Sequence, residues 1–123
     1  MLSITHGPTG ALLTTRLPLP ISIPLTIAIH YLQDFVPHWD VGQGLTKNKK
    51  SKKAAFIQEL LIDFPLSIVI TYFIFNQGAY FDLRVWVGWF FALLPDFLEF
   101  PYVFLGWKFW PLKQLADFHS YIH

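Results

Sequence analysis

Apolar residues run along this chain in long blocks, broken at a proline-rich stretch, at a basic polar stretch and at a short Asn-Gln-Gly turn. The first block, residues 1–16, reads as a short helix starting near Thr5 or His6, with Pro8 in its first turn. Three prolines in residues 17–24 predict a break or corner, with a helix resuming at Leu25 and running to Val36. Residues 40–53 read as a polar loop. Residues 54–75 follow as a 22-residue apolar segment with Pro65 as a kink, long enough to cross a bilayer core of about 30 Å. Asn76, Gln77 and Gly78 make a turn. Residues 83–107 form another long apolar segment, kinked at Pro95 and Pro101, and residues 108–123 an amphipathic tail. The expected fold is all-α: one small membrane bundle over residues 1–123, with about three long apolar helices, a short N-terminal helix and an amphipathic C-terminal helix.

Composition sharpens this picture. Hydrophobic residues make up 54% and charged ones 14%, against about 25% charged in an ordinary soluble domain. Aromatic residues, at 19%, suit a protein with Trp and Tyr at membrane interfaces. No segment is a clean run of strongly apolar residues, so a compact soluble helical protein stands as the alternative. A net charge of +1 argues nothing for nucleic acid, and none is expected as a partner. Five of the nine basic residues lie between Lys47 and Lys53. Such a run places loop 40–53 in the cytoplasm and contacts anionic lipid headgroups. The reading is a multi-pass protein of the inner membrane with seven basic residues inside and two, Arg16 and Arg84, outside. The N-terminus lacks the basic start of a cleavable signal peptide.

Against that apolar background, the ionisable residues stand out. His30 and Asp34 are four apart, which puts them on one helix face one turn apart. Pro37 then ends the helix and lets His38 and Asp40 turn back. Glu59, Asp63, Asp96 and Glu99 sit inside apolar segments, and His119 and His123 repeat the spacing of four at the end. Asp34 and His30 lie 6 and 10 residues before Asp40; Glu59 and Asp63 lie 6 and 10 after Lys53; Asp96 and Glu99 lie 12 and 9 before Lys108. At 1.5 Å per residue all six share a depth of roughly 9–18 Å below the inner surface. If the proline corner folds the first helix back beside the second, His6 reaches that level too. Each ionisable group costs about 2.5–3.5 kcal/mol to insert, so scattered ones exclude a stable fold, whereas clustered ones can share a cation.

With no cysteine, a metal must be held by nitrogen and oxygen. His30 and Asp34 suit Zn²⁺ or a similar divalent ion, and the plainer account is a buried hydrogen-bonded pair. Asp63 is a ligand or a carboxylate orienting one, while Glu59 also fits an interfacial acid beside the lysines. Pro95 frees a backbone carbonyl and turns Asp96 inward as a ligand; Glu99 is a weaker candidate. His119 and His123 are spaced for one metal at an end where fraying is usual.

These residues together resemble a family. Thr5-His6 with Gly10 resembles the opening of the bacterial membrane-bound metal-dependent hydrolases, a group of inner-membrane hydrolase-like proteins with LexA-binding members. That group is more distantly similar to zinc-dependent phospholipase C. His30-x-x-x-Asp34-x-x-Pro37 is similar to its H-x-x-x-D-x-x-[TP] helix, Leu93-Leu94-Pro95-Asp96 to its L-L-P-D motif, and His119-Ser-Tyr-Ile-His123 to its paired histidines. The motif order departs from the family's, where Leu-Pro-Asp comes first. The chain is also shorter and stops at a histidine of the last motif, which fits a reduced relative, a fragment truncated at its C-terminus, or a binding protein that has lost catalysis.

The resemblance implies metal-assisted hydrolysis of a phosphoester or lipid-like substrate at the membrane, with water activated by the ion. It assigns His6, His30, Asp34, Asp96, His119 and His123 as metal ligands and Asp63 as ligand or general base. The rival is a non-enzymatic membrane protein that passes ions or protons along the same acids and histidines.

Overall fold

The computed structural model describes residues 3–36, 52–78 and 80–122, and every regular element among them is helical. In chain order these are α1 (Ser3–Arg16), α2 (Leu19–Asp34) and α3 (Lys52–Gln58), then a π-helical turn (Glu59–Asp63) leading into α4 (Phe64–Phe75), α5 (Leu83–Leu105) and α6 (Trp110–Ile122).

Two stretches are long and apolar enough to cross a membrane, Phe56–Phe75 with mean hydropathy 1.6 and Leu83–Leu105 with 1.3. The third long apolar helix expected from the sequence is α2, whose 16 residues span about 24 Å and fall short of a bilayer core. The predicted corner over residues 17–24 shrinks to Leu17 and Pro18. Pro18 caps α2, and Ile21 and Ser22 donate to its carbonyl at 3.0 and 2.9 Å. Pro20 falls in the first turn, where an N–H has no helical partner to lose. Pro24 is tolerated inside the helix. Helix α1 likewise starts earlier than expected, at Ser3, because Asp63 Oδ2 accepts the Ser3 N–H at 2.7 Å and caps that end. Pro95 and Pro101 interrupt nothing: α5 runs through both. It opens on Asp82, which accepts from the Arg84 N–H at 2.9 Å, and closes on Gly106 at φ 71°, a left-handed cap.

Helix α1 sits at the centre and packs against α5, α4 and α2. Its buried residues, Ser3, His6, Gly7, Gly10, Ala11 and Thr14, repeat at three and four positions. They are small or polar, which lets helix backbones approach closely. A Cβ on Gly10 would strike the Gly88 backbone of α5, and one on Gly88 would strike Gly10 and Thr14. Thr14 Oγ1 donates to the Arg84 carbonyl at 2.7 Å across the same contact. Small residues at close crossings with hydroxyls bonding across them are how helices associate in lipid.

The distribution of polarity is inverted relative to a water-soluble domain. Buried side chains include Thr14, Ser22, Thr26, Ser67 and Thr71, while Leu61, Ile62, Phe73, Ile74 and Leu105 are exposed. The spanning window of Phe56–Phe75 is only 11% buried.

Candidate metal centre

Three helices meet where the buried polarity is greatest. α1 delivers His6, α2 delivers His30 and Asp34, and α5 delivers Asp96; all four are buried. The fold-back of α1 along α2 brings the two imidazole rings to 4.2 Å between centroids. His6 Nε2 lies 3.1 Å from Asp34 Oδ1, and His30 Nε2 lies 3.1 Å from Asp34 Oδ2. His6, His30 and Asp34 each offer one ligand atom within 4.8 Å of the others.

The opposite ring nitrogens decide which face of each histidine carries a proton. His30 Nδ1 lies 2.7 Å from the Ala92 carbonyl. A carbonyl only accepts, so Nδ1 carries the hydrogen and a neutral ring turns an Nε2 lone pair toward Asp34. For His6 the argument runs through a relay. Thr9 Oγ1 donates to the Thr5 carbonyl at 2.8 Å, so its oxygen accepts from Gln33 Nε2 at 2.9 Å. That orients the Gln33 amide with Oε1 toward His6 Nδ1, at 2.9 Å, and Nδ1 is the donor. In the neutral ring His6 Nε2 then carries a lone pair, and it has no hydrogen-bond partner among the described residues.

Two imidazole lone pairs thus face one carboxylate, an arrangement that repels itself unless a cation or protons stand between. The donor set fits a divalent metal. Nitrogen and oxygen ligands at 2.0–2.2 Å in tetrahedral array lie about 3.3–3.6 Å apart, against 3.1 Å from each Nε2 to its nearer Asp34 oxygen. Each histidine has its outer N–H on a fixed acceptor, as metal-binding histidines usually do. Asp96 stands beside the triad, with Oδ1 3.8 Å from His30 Nε2. Tyr31 is close as well. Burial, then the charges of Asp96, Asp34 and Glu99, push its phenol above the ordinary value, which keeps it protonated.

Asp63 and Glu59 occupy a different place from the one expected. Asp63 holds the Ser3 N–H, and Glu59 Oε1 accepts from Ser3 Oγ at 2.7 Å. Both acids therefore secure the N-terminus of α1, where its dipole favours negative charge, and Asp63 is already engaged in that role. His119 belongs to α6, which packs on α2 through the Phe118 and Tyr31 rings at 5.3 Å. The His119 side chain, His38, Asp40, His123 and most of loop 40–53 lie outside the described residues.

Gln33, Thr9 and the Ala92 carbonyl escaped the sequence reading. Gln33 was visible as a polar residue three positions from His30 in an apolar helix, but only the packing of α1 shows what it holds.

Beside the centre lies a cavity of about 270 Å³. Asp96, Ser3 and Glu59 line it together with Phe56, Phe64 and Phe100. Asp96 borders both the triad and this cavity.

The fold and the site define an all-helical bundle with a polar interior and a buried His-His-Asp cluster. No family model matches the chain, and no curated protein or solved structure matches it.

Proposed function

We propose that this is a multi-pass inner-membrane metalloprotein in which His6, His30 and Asp34 hold a divalent ion, Zn²⁺ being the best fit, and that it hydrolyses a phosphoester or lipid-like substrate. The observation that carries this reading is the convergence of two Nε2 atoms on the Asp34 carboxylate at 3.1 Å, with each ring fixed by a hydrogen bond behind it. The motif resemblance to membrane-bound metal-dependent hydrolases points the same way. The cytoplasmic placement of loop 47–53 rests on its lysines.

A bound divalent ion supplies Lewis-acid activation of water and stabilises charge developing on oxygen. The chain's own groups do the rest. Gln33 and the Ala92 carbonyl hold the imidazoles in one tautomer and orientation. Asp96, facing both His30 and the cavity, is the carboxylate placed to hold a proton from attacking water; Asp63 is tied to Ser3. Phe56, Phe64 and Phe100 exclude water, which strengthens electrostatics at the centre. His119 and His123 belong to the ligand set that the motif resemblance implies, and their part is proposed on the motif alone.

Metal analysis of detergent-purified protein tests the reading. It expects about one ion per chain, released in His30→Ala and Asp34→Ala. Phosphodiester hydrolysis should disappear with the ion. The same cluster is neutralised equally well by protons on both imidazoles, which is the basis of the ion- or proton-passage rival. Absence of metal together with proton flux in liposomes would establish that rival instead.

A further inference from the structure

We propose that the cavity beside the metal centre takes the hydrocarbon chain of a single-chain amphiphile drawn from the bilayer, with its polar head at Asp96. This deepens the proposed function, resting on the centre as the reactive end, and names its substrate class. The cavity lies between the two stretches able to span a membrane, the one through α3, the π turn and α4 and the other α5. Lipid, not water, is therefore what surrounds its mouth. Its walls are aromatic and aliphatic. Phe56 and Phe100 stand 5.5 Å apart between ring centroids, Phe64 and Phe97 6.0 Å, and half-exposed Leu60 forms the rim.

Three polar residues, Ser3, Glu59 and Asp96, line the cavity as well, and Asp96 is shared with the metal centre. There Glu59 spends Oε1 on Ser3 Oγ, while its buried Oε2 has no hydrogen-bond partner among the described residues. That carboxyl oxygen leaves a hydrogen bond for the head group to make. At about 270 Å³ the cavity sits just under the range of sites that enclose a drug-sized molecule, roughly 300–1,000 Å³. One chain segment fits and two side by side do not, which favours a single-chain amphiphile. The π-helical turn contributes directly, because its wider coil places Glu59 and Leu60 on the cavity. Such single-turn departures from α geometry recur at functional sites.

The test uses the full chain in nanodiscs of a saturated phosphatidylcholine, with a trace of a C16 single-chain phosphate bearing a diazirine near the middle of its tail. Cross-links are mapped by mass spectrometry, and metal content is measured on the same samples. The expected result is labelling concentrated on Phe56, Leu60, Phe97 and Phe100. It falls at least fivefold in Leu60→Trp and in Phe100→Trp, which fill the space from opposite walls. It persists in Leu66→Trp, on the exposed face of α4. In wild type, an unlabelled C16 phosphate competes and a C6 phosphate does not. Labelling spread evenly over the exposed apolar faces, or no dependence on chain length in wild type, overturns the proposal even if both filling variants misfold. His30→Ala separates the two readings. Metal lost with labelling retained supports the cavity, whereas protein that never held metal yet labels as expected removes the metal reading alone.

Discussion

At the scale of single residues, the most exposed dependence is that of His6 on Gln33. Removing the Gln33 side-chain oxygen leaves His6 Nδ1 without its acceptor, so the ring can turn or change tautomer and lose its lone pair at Asp34. Gln33→Leu should weaken metal binding by about 10–100-fold, the usual cost of losing such a partner. Thr9→Val should weaken it less, because it frees only the Gln33 amide. Competition with a chromophoric chelator measures both, and unchanged affinity in Gln33→Leu would defeat the tautomer argument. A second outcome follows from linkage. An ion held only by the folded chain stabilises it by about 2.7 kcal/mol at a hundredfold excess over Kd. EDTA should therefore lower the melting temperature of wild type and leave His30→Ala unmoved. A cluster that merely packs helices predicts no response to EDTA in either protein, and there Asp34→Ala costs stability because it strips His6 and His30 of their shared partner. Much of this centre was legible in the sequence, because the spacing of four fixes a shared face once a helix is granted. His6 was legible only on condition of the fold-back. The role of Asp63 was not, since no local pattern shows that its carboxylate meets the start of a helix 60 residues away.

At the scale of elements, the bundle depends on how closely α1 approaches α5. Gly10 and Gly88 face each other so tightly that a methyl on either meets the other's backbone, and one on Gly88 also meets Thr14 Oγ1, which is held by its bond to the Arg84 carbonyl. Gly10→Ala and Gly88→Ala should each cost about 1–3 kcal/mol, the range for overpacking. Leu12→Ala, on the exposed side of α1, should stay within about 0.5 kcal/mol. Unfolding in mixed micelles by increasing SDS fraction gives these differences, and the two glycine variants should also hold metal more weakly, because α1 carries His6. Equal stability of all three variants would mean that the crossing is looser than described. The helices themselves were easier to foresee than their ends. Proline counted too heavily over residues 17–24, because its cost depends on position. In a first turn it removes no bond, and only Pro24 removes one from α2. The opposite error shortened α1, whose start is fixed by a capping acid far away in sequence rather than by Thr5 or His6.

At the scale of the whole molecule, the inverted polarity makes a claim about solvent. Exposed Leu61, Ile62, Val69, Phe73 and Ile74 follow one another along the stretch Phe56–Phe75, while the hydroxyls of Ser67 and Thr71 face inward. In water such a surface would expose far more contiguous apolar area than a soluble monomer carries. In a bilayer it is the expected outside. A lysine placed on it separates the two solvents. Val69→Lys puts a charge on the exposed face of α4, where insertion costs about 2.5–3.5 kcal/mol, on the order of a hundredfold in the inserted fraction. Tyr121→Lys, at an exposed position of α6 beyond both candidate spans, carries no such cost. Recovery in the carbonate-washed membrane fraction should therefore fall sharply for Val69→Lys and hold for Tyr121→Lys. A chain that folds in water would behave oppositely, since lysine on an exposed apolar face improves solubility and disturbs no buried contact. The comparison also bears on the metal centre. Its buried acids and imidazoles are tolerable in lipid only when neutralised together, so a variant that inserts poorly should lose its ion in the same proportion.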